Sequence, residues 1–210
     1  MKFKFLGVAV IAGTLALGAA ACSSGSSSAA SAPKTTKSAA AQPAASTSGS
    51  AMAPFGPACS SVPASGKGSF SGMSTAPVAT AASNNPVLST LVTAVKKAGL
   101  VDTLNSASGI TVFAPDNSAF AKIPKATLDS VLGNKAELSK ILTYHVASGH
   151  ITPAELGSGK PIKTLEGSTV MPSKMGSTYE VNSAHVVCGD VQTANATVYI
   201  IDSVLMPPTS

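Results

Sequence analysis

Thr111-Val112-Phe113-Ala114-Pro115-Asp116-Asn117-Ser118-Ala119-Phe120 decides the reading of this chain. With Ile110 it opens as a β-branched and aromatic run, the composition of a buried strand. Ala114-Pro115-Asp116 stops the strand, and Asp116 or Asn117 is placed to cap a turn over residues 118–123. Working outward, Asn85-Pro86 opens a helix on which Leu88, Leu91, Val92 and Val95 share one face. Lys96 and Lys97 suit its last turn, and Gly99 ends it. Short helical stretches follow at 101–104 and 124–132. Asn134, with Glu137 three residues on, has capping-box spacing ahead of the stripe Leu138, Ile141, Leu142 and His145. From Thr164 the texture changes to strands broken by Gly and Pro, at 168–171, 178–181, 186–188 and 198–205. Helices gathered early and strands late predict an α+β fold.

The rest of the chain is not of this kind. Met1-Lys2-Phe3-Lys4 is a short positive region, and residues 5–17 are apolar but too short to span a bilayer. Gly18-Ala19-Ala20-Ala21 then leads into Cys22, followed by Ser23-Ser24-Gly25-Ser26. This resembles a bacterial lipobox, with Ala19 where Leu is commonest. Residues 1–21 are thus expected to be a lipoprotein signal peptide, with lipid carried on Cys22; two or more acyl chains give stable anchoring. Residues 22–58 are rich in Ser, Ala, Thr and Pro and lack Val, Ile and Leu, so they are read as a disordered tether. Thr35, Thr36, Ser46, Thr47 and Ser48 are candidates for O-linked sugars. The globular part is expected over 59–210.

Charge and cysteine usage narrow the function. The formal net charge is +5 over 210 residues. Every one of the 14 basic residues is Lys, and beyond residue 67 nine lysines face nine acids. Without Arg the bidentate fork that reads phosphate or guanine is missing, so nucleic acid is disfavoured. If lipid takes Cys22, Cys59 and Cys188 are left as one possible disulfide in an exported protein. The alternatives are two free thiols or metal ligands, and no CxxC spacing or nearby His pair supports a metal.

Three elements together resemble the fasciclin (FAS1) domain family. Thr111 to Phe120, as quoted above, looks like its first signature. Val198-Tyr199-Ile200-Ile201-Asp202-Ser203-Val204-Leu205-Met206-Pro207 looks like its second, and Leu142-Thr143-Tyr144-His145-Val146 matches its Tyr-His element. They occur in family order over about 140 residues. The mycobacterial members, secreted or lipid-anchored immunogenic proteins, share the stretches AASNNP, VDTLNS and TANATVY and a Cys at both positions. The resemblance implies a wedge of two β-sheets with several helices along one edge, and adhesion or surface binding without catalysis. It gives Tyr144 and His145 a binding role, and aligns Asp190-Val191 with the family's Asp-Ile adhesion pair. The residues themselves also allow plainer roles: a core histidine, a buried tyrosine, and turn chemistry at Asp190 after Gly189.

No motif announces a cofactor, a phosphate cradle or a nucleophile elbow. His145, His150 and His185 are the only histidines, and Asn195-Ala196-Thr197 is read as β-turn sequence rather than a glycosylation site. The expectation is a lipid-anchored protein of the cell envelope, exposed at the surface, with shedding or secretion as the alternative, that binds a cell-wall, matrix or host ligand. One rival is a carrier of an apolar or glycolipid ligand, which requires a cavity of several hundred Å³. The other is a hydrolase, which requires Ser or a carboxylate within reach of a histidine in a cleft.

Overall fold

The computed structural model describes residues 53–208. The leader, Cys22 and most of the expected tether lie outside them. At the centre of the fold, β1 (Ile110–Pro115) and β8 (Ala196–Ile201) run parallel, with Val112 opposite Val198 and Phe113 opposite Tyr199. Both strands are buried along their whole length, which is why each reads as a continuous apolar run rather than an alternating one. Around this pair the six-stranded sheet has the order β2-β1-β8-β7-β6-β5. Its other strands are β2 (Val146–Ser148), β5 (Pro172–Met175), β6 (Thr178–Val181) and β7 (Ala184–Gln192). A second sheet pairs β3 (Ile162–Lys163) with β4 (Thr169–Val170). The expected α+β architecture with two sheets is what the structure contains.

Alternation along the central pair builds two cores. Ile110, Val112, Ala114, Ala196, Val198 and Ile200 face the helices, while Phe113, Tyr199 and Ile201 face the opposite side with Tyr144, Leu156 and Val181. The helical layer contains α1 (Phe70–Ser74), α2 (Val78–Ser83), α3 (Ser89–Ala98), α4 (Val101–Ser106), α5 (Asn117–Ala121), α6 (Lys125–Gly133) and α7 (Lys135–Tyr144). A further short helix, α8 (Pro153–Leu156), carries the Thr152–Glu155 capping box. Gly99 ends α3 in the left-handed region at φ 74°, as its position predicts.

Asparagines from distant segments close the helix N-termini. Asn195 Oδ1 accepts the Val78 N–H at 2.8 Å, and Asn105 Oδ1 accepts from Ala79 and Thr80. Asn195 Nδ2 also donates to the carbonyls of Leu104 and Ala107, tying α4 to β8. Asn117 Oδ1 accepts the Thr90 N–H of α3, while its amide donates to Pro86 O. The turn reading of Asn195-Ala196-Thr197 is thus incomplete, because this side chain clamps three elements.

The folded part starts ahead of the boundary read from composition. Phe55 and Gly189 exchange two backbone hydrogen bonds, and the Phe55 ring lies 5.0 Å from that of Tyr179. A Cβ at Gly189 would run into the Phe55 ring, so a larger residue there would have to displace the ring from this crossing. Cys59 is disulfide-bonded to Cys188 of β7 across 129 residues of sequence, as the pairing predicted. The chain-entropy model assigns such a loop a stabilisation of about 5 kcal/mol. The tether composition hid this segment because its two anchors, one ring and one sulfur, stand among Pro, Ala and Gly.

Candidate functional site

α7 delivers the Tyr-His element. Asn134 caps it by accepting from the Ala136 and Glu137 N–H groups, and Leu138, Ile141 and Leu142 bury its inner face. His145 follows the last turn and is 2% exposed. Its Nε2 accepts the Leu205 N–H at 2.9 Å, so the ring proton sits on Nδ1 and is donated to Ile141 O at 2.8 Å. Burial lowers its pKa to about 4, against the raising effect of the Ile141 bond. Tyr144 is 3% exposed. Its hydroxyl donates to Thr169 O and accepts from Asn182 Nδ2. Asn182, left-handed at φ 53°, passes the restraint on: its Oδ1 accepts the Met171 N–H and its own N–H donates to Met171 O.

Asp190 and Val191 sit at an irregularity in β7, where the register against β8 shifts between Cys188 and Val191. Asp190 takes the left-handed conformation at φ 56°, which Asp tolerates better than most residues. Its Oδ1 accepts from Gln192 Nε2 at 2.6 Å. Burial raises its pKa, and the Gln192 bond opposes that shift. Val191 belongs to the helix-side core. All four candidate adhesion residues are therefore interior. The expectation that Tyr144, His145, Asp190 and Val191 touch a partner directly meets their burial: in this fold none offers its side chain to solvent.

The other two histidines lie elsewhere. His150 Nδ1 is 3.1 Å from Thr197 Oγ1, and His185 Nδ1 is 2.9 Å from Glu180 Oε1 across the β6–β7 ladder, where His185 is half exposed. Among the described residues no serine hydroxyl bonds to a histidine, and no three His, Cys, Asp or Glu side chains gather as metal ligands.

The exposed apolar side chains are concentrated. Among the described residues four large hydrophobics face water: Leu165, Met171 and Met175 fall within eleven residues of β3–β5 sequence, and the fourth is Met206. β5, with Met171 just before it and Met175 at its end, is an edge of the main sheet. Lys174 on the same strand lies 4.8 Å from the centre of the Tyr179 ring. Sequence reasoning missed this edge because nothing in Val-Met-Pro-Ser-Lys-Met announces which side chains a sheet will leave uncovered.

Between the helices and the sheet lies an apolar cavity of about 70 Å³, lined by Val112 and Val198 below and Leu91 and Val95 above. That is far below the several hundred Å³ expected of a glycolipid carrier.

Comparison with known proteins places this geometry. The Fasciclin domain model matches residues 86–207. The chain belongs to the fasciclin domain family. It is 49% identical over 161 residues to the immunogenic protein MPB70 of Mycobacterium bovis, covering 73% of this chain and 82% of that protein. It is 45% identical over 187 residues to the cell surface glycolipoprotein MPB83 of Mycobacterium bovis, covering 83% and 84%. A Synechocystis protein, sll1483, is 43% identical over 129 residues, 60% of this chain and 71% of that one. Among solved structures, a FAS1 domain pair from the insect cell adhesion molecule fasciclin I superposes with a TM-score of 0.53 at 21% identity. That match covers 65% of this chain and 52% of the insect chain, and it shows the shared fold. Within the fasciclin domain the two family signatures are the parallel strands β1 and β8 with their flanks, lying side by side at the centre. Among the described residues no helix is long and apolar enough to cross a membrane.

Proposed function

We propose that this fasciclin domain is a binding module displayed at the cell surface, held there by lipid on Cys22 and set at a distance by the segment that follows. It binds rather than reacts, and its ligand is a cell-wall, matrix or host surface component. The similarity to the cell surface glycolipoprotein MPB83 supports this reading, since it covers 83% of the chain and so reaches beyond the described residues. The observation that carries the binding role is the edge at β5, where Met171 and Met175 are 51% and 69% exposed. Exposed methionines adapt to a partner's surface at little conformational cost. The Tyr-His element then acts at one remove: Tyr144 holds Asn182, and Asn182 holds the Met171 backbone. In this reading Tyr144 is a positioning residue, while His145, Asp190 and Val191 keep the interior behind it in register.

The test is capture by the full chain from cell-wall fractions and host surface proteins. Met171→Glu with Met175→Glu should abolish capture. Tyr144→Phe, which keeps the ring and loses the hydroxyl, should weaken it less. Capture unaffected by the double methionine change would refute the proposed surface. For the anchor, Cys22→Ala should release the protein into the medium, and retention in the membrane fraction would contradict lipidation.

A further inference from the structure

The oxidisable sulfur of this domain is unevenly placed. Among the described residues both cysteines, Cys59 and Cys188, are joined in a disulfide, so neither is a thiol that would consume an oxidant first. The chain has no Trp. What remains is thioether, and the four methionines of the described residues fall into two classes. Met73 is 2% exposed in the helix-side core, where its Sδ accepts the Asn85 Nδ2–H at 3.6 Å. Met171, Met175 and Met206 are open to water, although Met is ordinarily a buried residue.

Two of the open thioethers share one surface. Met171 stands just before β5 and already continues its ladder, since its carbonyl accepts the Asn182 N–H. Side chains at alternate positions of a strand point the same way, so Met171, Ser173 and Met175 lie on one face, with the Cα atoms of the two methionines about 13 Å apart. The residues facing them across β6 are polar: Asn182 beside Met171, Glu180 opposite Ser173 and Thr178 opposite Met175. β6 therefore supplies no apolar side chain to cover either sulfur. The backbone beneath is fixed, because Asn182 bonds both the N–H and the carbonyl of Met171.

A thioether in water reacts with peroxide. A sulfur lone pair attacks one peroxide oxygen, and the S–O bond forms as the O–O bond breaks. The other oxygen leaves as hydroxide and takes the proton of the transferred oxygen, giving water. Sulfur is oxidised by two electrons, the peroxide is reduced, and the product is a polar, chiral sulfoxide. We propose that Met171 and Met175 are sulfoxidation sites, and that hydrogen peroxide converts the β5 edge from an apolar surface to a polar one while the buried Met73 keeps the fold intact. The consequence for binding rests on the reading of this edge as the contact surface: a sulfoxide must give up water to enter an apolar contact, so oxidation turns capture off.

The test treats the full chain with excess hydrogen peroxide and follows each methionine by peptide mass spectrometry. Met171, Met175 and Met206 should oxidise roughly tenfold faster than Met73 or more, because susceptibility follows exposure. The disulfide and the far-UV circular dichroism should not change. Phenyl-agarose is the probe of the edge itself. The oxidised chain should elute earlier than the untreated one, and Met171→Leu with Met175→Leu, which keeps the apolar surface without the sulfur, should lose most of that shift. Met171 and Met175 oxidising no faster than Met73 would overturn the proposal. So would retention unchanged by oxidation, or a peroxide shift as large in the leucine variant. Capture from cell-wall fractions and host surface proteins separates this proposal from the reading beneath it. If Met171→Glu with Met175→Glu leaves capture intact while rates and retention behave as stated, the contact surface is refuted and the sulfoxidation sites are supported. If the glutamate variant loses capture and the doubly oxidised chain keeps it, the control of binding by oxidation is refuted.

Discussion

On one face of the β1–β8 pair stand Ile110, Val112, Ala114, Ala196, Val198 and Ile200; on the other stand Phe113, Tyr199 and Ile201. The strands are the same and both faces are buried, but they are filled differently. The first face carries small aliphatic side chains under a layer of short helices, and a cavity remains between them. The second carries rings. Phe113 and Tyr199 lie 6.0 Å apart, Tyr199 donates to Ile151 O, and Tyr144 donates to Thr169 O. The difference teaches where each role lies. The aromatic face is a rigid foundation for the β5 edge, and the helical face keeps slack in its packing.

The largest expected effect is on the foundation. Phe113→Ala should cost about 4 kcal/mol in chemical denaturation, because a fully buried ring leaves a cavity that its neighbours cannot close. Val112→Ala, one residue away on the other face, should cost only about 1.5 kcal/mol, the transfer of two methylenes. Equal losses would erase the contrast between the faces.

Next comes acid. The folded pKa of His145 is lowered from 6.5 to about 4, so the unfolded chain binds its proton first. The stability from keeping this ring neutral is fully present above pH 6.5, is lost as pH falls through that value, and is gone below about pH 4. The loss amounts to about 3 kcal/mol. Denaturation midpoints measured from pH 7 to pH 4 should show it, and a His145→Gln variant should show a flatter profile over the same range.

Asn195→Ala probes the roof of the cavity. It leaves the Val78 N–H and the Leu104 and Ala107 carbonyls without their partner and should cost about 2 kcal/mol. Hydrogen exchange should quicken first in α2 and α4; uniform quickening would mean that the clamp is global rather than local. The smallest effect is expected from Val198→Ile, which adds one methylene to the cavity and should raise stability by under about 1 kcal/mol. The corresponding addition at Ala147, fully buried on the aromatic face, has no void to enter and should destabilise.

Much of this was legible in the sequence where a local pattern determines the outcome. The α3 helix announced itself by its apolar spacing and Gly99, although Asn85 caps a separate 3-10 turn over Pro86–Leu88 and α3 begins only at Ser89; β1 and β8 announced themselves by continuous apolar runs. Local pattern does not reveal long-range closure. β2 and β3, with three and two residues, exist because partners pair with them, and no pattern of their own marks them. α1 and α2 escaped notice because their Ala- and Ser-rich stretch has low contrast, and α2 takes its cap from Asn105 and Asn195. The Thr152–Glu155 capping box was there to be read and marks α8. For the candidate site, His145 was recognisable as the inner member of a stripe, but its acceptor role toward Leu205, sixty residues on, was not. Nor could spacing alone show that Tyr144 would reach Met171 through Asn182.

The claim that the Tyr-His element belongs to the foundation, and not to the contact surface, is tested most directly by NMR titration of the His145 ring in the folded chain. An imidazole that stays neutral through pH 5, with its proton on Nδ1 and a midpoint near 4, is the predicted result. Titration near pH 6.5 in a still-folded protein would mean that the ring meets solvent, and would return Tyr144 and His145 to the surface.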